Sequence, residues 1–180
     1  MQYNESSIRT FEGVEAVRNR PGMYLGVGAA SAHQCFYEIF TNSLDEAIGG
    51  FAKNIDIVIG KDGTVSVEDD GRGIPWKDIL YKKKKIPACI KAAIDLHAGG
   101  KFDDKAYSIS AGTNGVGLTS VNAVSQSFRL ETTRDGGTYF FECKKGKLTK
   151  NLTKLKKKKP KNGTKVIFKL DPEIMKDEEI

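Results

Sequence analysis

The sequence predicts an α+β fold, a two-layer sandwich in which helices cover one face of a mixed, mainly antiparallel sheet. Two patterns carry that expectation. Short alternating segments are divided by tight turns: Ile55, Ile57 and Ile59 alternate before Lys61-Asp62-Gly63, and Asp135-Gly136-Gly137 and Lys145-Gly146 separate three later strands. The helical segments do not alternate one for one with the strands, as a parallel βαβ sheet would require. A third observation narrows the class. No GxxxxGK[ST] sequence occurs, and the longest glycine cluster does not directly follow a strand, so neither a P-loop nor a Rossmann phosphate site is expected.

The elements follow in order. Residues 1–12 read as an arm, polar but carrying Tyr3 and Ile8, ahead of a single domain over 13–180. A short helix is expected from Gly13 to Arg20, stopped by Pro21-Gly22, with the Pro-Gly-Met-Tyr-Leu-Gly stretch as a loop. A longer helix runs from Ala32 to Ile48 and closes at Gly49-Gly50. Strands are expected at Asn54 to Gly60 and Thr64 to Glu68, then a loop at Asp69 to Pro75 and a solvated loop through Lys82 to Lys85. Helices at Ala88 to Leu96 and Val116 to Val124 flank an irregular, glycine-rich stretch. The remaining strands are Ser127 to Thr133, Thr138 to Lys144, Lys147 to Leu152 and Thr164 to Leu170.

Composition excludes several classes. The 180 residues are 39% apolar and 29% charged, which suits one globular domain with a real core. No apolar run approaches the roughly 20 residues of a membrane span, and the N-terminus lacks a signal-peptide pattern, so a cytoplasmic protein with no membrane partner is expected. Cys35, Cys89 and Cys143 are far apart, with no CxxC pair, and read as reduced, apolar side chains. The net charge of +6 sits largely in two lysine runs, Lys82 to Lys85 and Lys156 to Lys159, neither interleaved with aromatics that stack on bases.

Four blocks carry candidate chemistry. On the long helix, Glu38, Asn42, Asp45 and Glu46 share one arc, opposite Phe36, Phe40, Leu44 and Ala47, which are expected to face the sheet. An arc of acid and amide without lysine suits a hard cation, with the Asn42 carbonyl as a ligand, and Glu38 one turn earlier is placed to activate water. Asp69-Asp70-Gly71-Arg72-Gly73 puts carboxylates at a strand end before close-approach glycines, and an Asp oxygen there can accept from an exocyclic amine. Gly112-Thr113-Asn114-Gly115-Val116-Gly117-Leu118 runs into a helix and forms an anion cradle of backbone amides. Asn162-Gly163-Thr164 brings a hydroxyl to a strand start. Singly, each block also fits an ordinary turn or a wet helix face.

In this order the blocks resemble the GHKL (Bergerat-fold) ATPases. Ala16 to Tyr24, Asn42-Ser43-Leu44-Asp45-Glu46-Ala47, Asp69 to Pro75 and Leu96 to Asp103 are similar to the B subunits of bacterial type II DNA topoisomerases, gyrase and topoisomerase IV. The resemblance implies an ATP- and magnesium-dependent domain whose dimerisation gates DNA strand passage. It implies Glu38 as general base, Asn42 as magnesium ligand and Asp69 as adenine contact, supported by Thr164. Glu46 and Arg72 match a salt bridge beside the base pocket, followed by Gly73, Ile74 and Pro75. Gly100, Lys101 and the loop from Gly112 to Leu118 match a phosphate lid, and Tyr107 a further nucleotide contact. Arg134 matches a rim arginine used by aminocoumarin antibiotics. Tyr3 matches an arm residue that touches the partner's nucleotide in a homodimer. DNA and an A-type subunit are the implied partners of the whole enzyme.

The departures are specific. Thr41 replaces an Asp, Thr113-Asn114 replaces Leu-His in the lid, and Lys82 to Lys85 replaces an acidic segment. The family's transducer domain, which supplies a lysine to the γ-phosphate, matches no segment here, so ATP binding with weak hydrolysis is expected of these residues alone. Alternatives are another GHKL member, such as a mismatch-repair or chaperone module, or a non-enzymatic basic nucleic-acid-binding module.

Overall fold

A computed structural model describes residues 13–26, 30–96, 117–156 and 161–175. Its elements are α1 (Val14–Asn19), α2 (Gly22–Leu25), α3 (Ala30–Ile48), β1 (Ile55–Ile59), β2 (Thr64–Asp69), β3 (Asp78–Tyr81), β4 (Lys84–Pro87), α4 (Ala88–Ile94), α5 (Gly117–Val124), β5 (Ser125–Arg134), β6 (Gly137–Lys144), β7 (Lys147–Leu155) and β8 (Gly163–Leu170). Six strands form one sheet in the order β1-β2-β8-β5-β6-β7, and β3 pairs with β4. Every pairing among the described residues is antiparallel, so the expected mixed sheet is in fact uniform.

Strand alternation builds the core. Opposed residues in an antiparallel ladder project to the same face, and the registers align Val65, Phe168, Phe128 and Cys143 in one row. The next row is Val67, Val166, Leu130 and Phe141, and both rows are buried under the helices. Phe128, Phe141 and Phe168 are the largest of these side chains, and truncating any one to Ala costs about 3–5 kcal/mol.

Three expectations are corrected. Gly22–Leu25 forms a helical turn instead of a loop, because Pro21 at its N-cap adopts helical dihedrals and needs no amide there. The lysine run is a hairpin, β3–β4, with Lys82 and Lys83 at its tip, although its lysines are exposed as expected. On α3 the buried stripe is Ser31, Ala32, Cys35, Ile39 and Ser43. Phe36 and Phe40 stack on the flank with ring centroids 5.7 Å apart, and Leu44 is exposed. Small residues face the sheet because they let the helix lie close to it.

Candidate active site

The third row on the sheet's inner face is polar. Asp69 on β2 opposes Thr164 on β8, Thr164 opposes Thr132 on β5, and Thr132 opposes Tyr139 on β6. Strand parity therefore carries Asp69 onto the same face as Val65 and Val67, where it is only 7% exposed. A carboxylate so placed needs partners. Its Oδ2 accepts from Ser43 Oγ at 2.8 Å, and its Oδ1 accepts from the Gly71 amide at 3.0 Å. Burial pushes its carboxyl above the ordinary range, and hydrogen bonds from Ser43, Gly71 and the Thr164 amide offset only part of that.

Asp70 has the opposite surroundings. Its Oδ1 accepts from the Lys53 and Asn54 amides at 2.7 and 2.9 Å, and its Oδ2 from Asn54 Nδ2 at 2.8 Å. Those bonds, led by the Asn54 backbone, lower its carboxyl to about 2. Asp70 thus braces the start of β1, and of the two adjacent carboxylates only Asp69 lies on the sheet's inner face.

Helix α3 forms the roof. Glu46 takes Arg72 Nη2 at 2.6 Å and the Arg72 amide at 2.9 Å, and the guanidinium lies 3.8 Å from the Phe51 ring centroid. Burial raises the Glu46 carboxyl, but the bonds and charge of Arg72 outweigh it, leaving the group below its usual range. One turn earlier, Asn42 is half-buried, and its side-chain carboxamide makes no hydrogen bond among the described residues. At the next turn Glu38 accepts from Gln34 Nε2 at 2.7 Å. A Cβ on Gly117 would lie 2.5 Å from Glu38 Oε2, so the carboxylate rests against the N-terminus of α5.

Backbone closes the base end. Gly73 has φ 76°, and any side chain there would run into the Thr133 carbonyl. Arg134 Nη1 donates to the Gly73 carbonyl at 3.0 Å, and Thr132 Oγ1 donates to the Ile74 carbonyl at 2.7 Å. Trp76 stacks on Tyr139 with centroids 4.2 Å apart and donates Nε1 to the Arg134 carbonyl at 3.3 Å. The result is two chemical features under α3: a buried acceptor, Asp69, and the Glu38 carboxylate beside the N-terminus of α5. A planar base with an amine suits the first feature and an anion suits the α5 terminus.

The structure thus brings together Glu38, Asn42, Glu46, Asp69, Arg72, Gly73, Ile74, Pro75, Gly117, Arg134 and Thr164. Leu118 is buried in the core beneath the site. Tyr3, Gly100, Lys101, Tyr107, Gly112, Thr113, Asn114, Gly115 and Val116 lie outside the described residues. Sequence reasoning missed Gln34, Ser43, Thr132 and the Trp76–Tyr139 wall. Only Gln34 had a usable signal, its i,i+4 spacing from Glu38 on one helix face.

A family model described as histidine kinase-, DNA gyrase B-, and HSP90-like ATPase matches residues 28–174. The chain belongs to this ATPase family. As a member, it is an ATP-binding domain. It is 43% identical over 178 residues to the B subunit of DNA gyrase from Clostridium acetobutylicum, covering 98% of this chain and 28% of that protein. It is 44% identical over 180 residues to the B subunit of the type 2 topoisomerase from Aquifex aeolicus, covering 99% of this chain and 22% of that protein. The crystal structure of the 43K ATPase domain of Thermus thermophilus gyrase B in complex with an aminocoumarin superposes with a TM-score of 0.78 at 34% identity. That match covers 94% of this chain and 42% of the other. The chain spans about a quarter of the length of the relatives it matches. No helix among the described residues is long and apolar enough to cross a membrane.

Proposed function

We propose that this chain is the ATP-binding and ATP-hydrolysing domain of a bacterial type II DNA topoisomerase B subunit, working in the cytoplasm with an A-type subunit on DNA. The observation that carries the reading is the buried Asp69 carboxylate, held by Ser43 and Gly71 at the end of three strands. Asp69 accepts from the adenine amine, with Thr164 beside it, and Gly73, Ile74 and Pro75 line the base. Glu46 and Arg72 lock the loop that carries those three residues. Arg134, anchored on Gly73, forms a rim open to an aminocoumarin, the class of compound in complex with the gyrase B ATPase domain of Thermus thermophilus.

The phosphate end is assigned in the same terms. Gly117 and the residues before it, Gly112 to Val116, hold phosphate oxygens with backbone amides, and Gly100, Lys101 and Tyr107 complete the enclosure. Asn42 fits a magnesium ion as a single neutral oxygen ligand: its carboxamide has no competing bond among the described residues, and magnesium takes its other ligands from phosphate and water. That ion would neutralise phosphate charge. Glu38, oriented by Gln34 and set against Gly117, accepts a proton from the attacking water. Residues 1–12, with Tyr3 and Ile8, form the arm through which ATP binding dimerises two B subunits.

The test uses the whole subunit with its A-type partner. Wild type is expected to pass DNA strands in an ATP-dependent relaxation or decatenation assay, and Glu38→Ala to bind nucleotide without turnover. ATP-dependent strand passage that survives Glu38→Ala would overturn the base assignment, and a whole enzyme with no action on DNA topology would overturn the topoisomerase reading.

A further inference from the structure

The nucleotide site leaves the β3–β4 hairpin unexplained. Its ten residues, Asp78–Pro87, carry four lysines against one aspartate. Lys82, Lys83, Lys84 and Lys85 are all exposed, and Lys83, Lys84 and Lys85 form no ion pair among the described residues. The tip is unusual. Lys82 and Lys83 have φ values of 45° and 65°, a left-handed turn that favours Asn-Gly. The other two-residue hairpin turns among the described residues, Asp135-Gly136 and Lys145-Gly146, put glycine at the second position. Only here among the described hairpins do long side chains take both left-handed positions.

The hairpin is also firmly mounted. The Ala88 amide donates to the Lys77 carbonyl at 3.1 Å, and Ile86 packs against the core. Lys91 of α4 lies with its Nζ 4.9 Å from the Tyr81 ring centroid and 3.4 Å from the Asp95 carboxylate. One face is therefore docked on α4, while Leu80, 78% exposed, opposes Lys85 on the other. Edge protection explains one or two lysines on a short strand. It does not explain two at the turn, where a side chain is disfavoured and no strand edge is guarded.

We propose that the β3–β4 hairpin is a sequence-independent contact for the phosphate backbone of duplex DNA. A two-stranded ribbon fits the major groove of a duplex, and the tip lysines reach phosphates on its walls. Lysine supplies point charge without base-edge readout, so no sequence preference follows. The inference rests on the topoisomerase reading only in selecting DNA among polyanions.

The test is fluorescence anisotropy of this chain with a labelled duplex of about 30 base pairs, titrated at 50 to 200 mM salt. It compares wild type with Lys82→Asn/Lys83→Gly/Lys84→Gln/Lys85→Gln, whose Asn-Gly tip suits the turn, and with a variant carrying arginine at all four positions. If each lysine meets one phosphate, the neutral variant loses about 3–4 from the slope of log affinity against log salt, since each contact contributes about 0.9. The arginine variant is expected to keep the wild-type slope. A slope change below about 1 would overturn the proposal. Competition by poly-glutamate equal, charge for charge, to that by DNA would also overturn it in favour of an acidic protein partner. An ATP analogue is titrated into the same proteins. Equal nucleotide affinities with lost DNA binding support the assignment, whereas joint loss assigns the hairpin to the nucleotide site and overturns it.

Discussion

Replacing Gly73 with Ala tests the architecture of the base pocket at one atom. Gly73 sits at φ 76°, where an L side chain costs about 1–2 kcal/mol. The added Cβ would also run into the Thr133 carbonyl and lie 3.2 Å from the Gly163 carbonyl. Both are backbone atoms held in the β5–β8 ladder, so neither yields cheaply. Forcing such a shift costs about another 1–3 kcal/mol. The sum, about 2–5 kcal/mol, corresponds to a fall in thermal midpoint of roughly 5–15 °C for a domain of this size. Gly136→Ala is the matched control. It has φ 74° but nothing within 4 Å of its Cβ, so only the dihedral cost of about 1–2 kcal/mol remains. Circular-dichroism melts of the two variants, with calorimetric titration of an ATP analogue, give the comparison. Gly73→Ala is expected to melt lower than Gly136→Ala and to lose nucleotide affinity, while Gly136→Ala keeps it. Equal melting and equal affinity would refute the claim that backbone crowding shapes this pocket.

Other expectations follow from single groups. In the whole subunit, Gln34→Ala is expected to lower turnover about tenfold, about 1.4 kcal/mol of barrier, with KM unchanged, because only the orientation of Glu38 is lost; a changed KM with normal turnover would contradict it. Asp70, lowered to about 2 by its bonds to Asn54 and Lys53, stabilises the fold above the unfolded carboxyl range near pH 4, and that contribution disappears as pH falls toward 2. Its carboxyl carbon is expected to titrate near pH 2 by NMR, and Asp70→Asn to flatten the acid limb of the stability curve. Cys89 and Cys143, pushed up by burial to about 12 and about 11, are expected to resist iodoacetamide at pH 8 until the protein unfolds; rapid native-state alkylation would contradict their burial.

Much of the fold was legible because alternation and tight turns are local signals. Ile55–Ile59 and the Asp135-Gly136 and Lys145-Gly146 turns appear where the pattern places them. The β3–β4 hairpin was not legible, since a Lys-Lys tip carries neither glycine nor asparagine at its left-handed positions. The buried face of α3 was misread because large apolar residues, Phe36 and Phe40, drew the assignment, whereas close packing selects Ala32, Cys35 and Ser43. In the site, Asp69, Glu46 and Arg72 were visible as motif residues. Ser43, Thr132 and Tyr139 were not, because their role comes from cross-strand register and helix docking between segments distant in sequence.

The central claim, that the buried Asp69 carboxylate reads the adenine amine, is tested most directly by calorimetric titration of a magnesium-bound ATP analogue into wild type and Asp69→Asn. The asparagine removes a charge that burial already disfavours, so its thermal midpoint is expected to stay close to wild type. It also turns an amide donor toward donors, losing a charge-assisted bond of about 2–3 kcal/mol and weakening binding about 30- to 150-fold. Wild-type affinity in a folded Asp69→Asn protein would contradict the account.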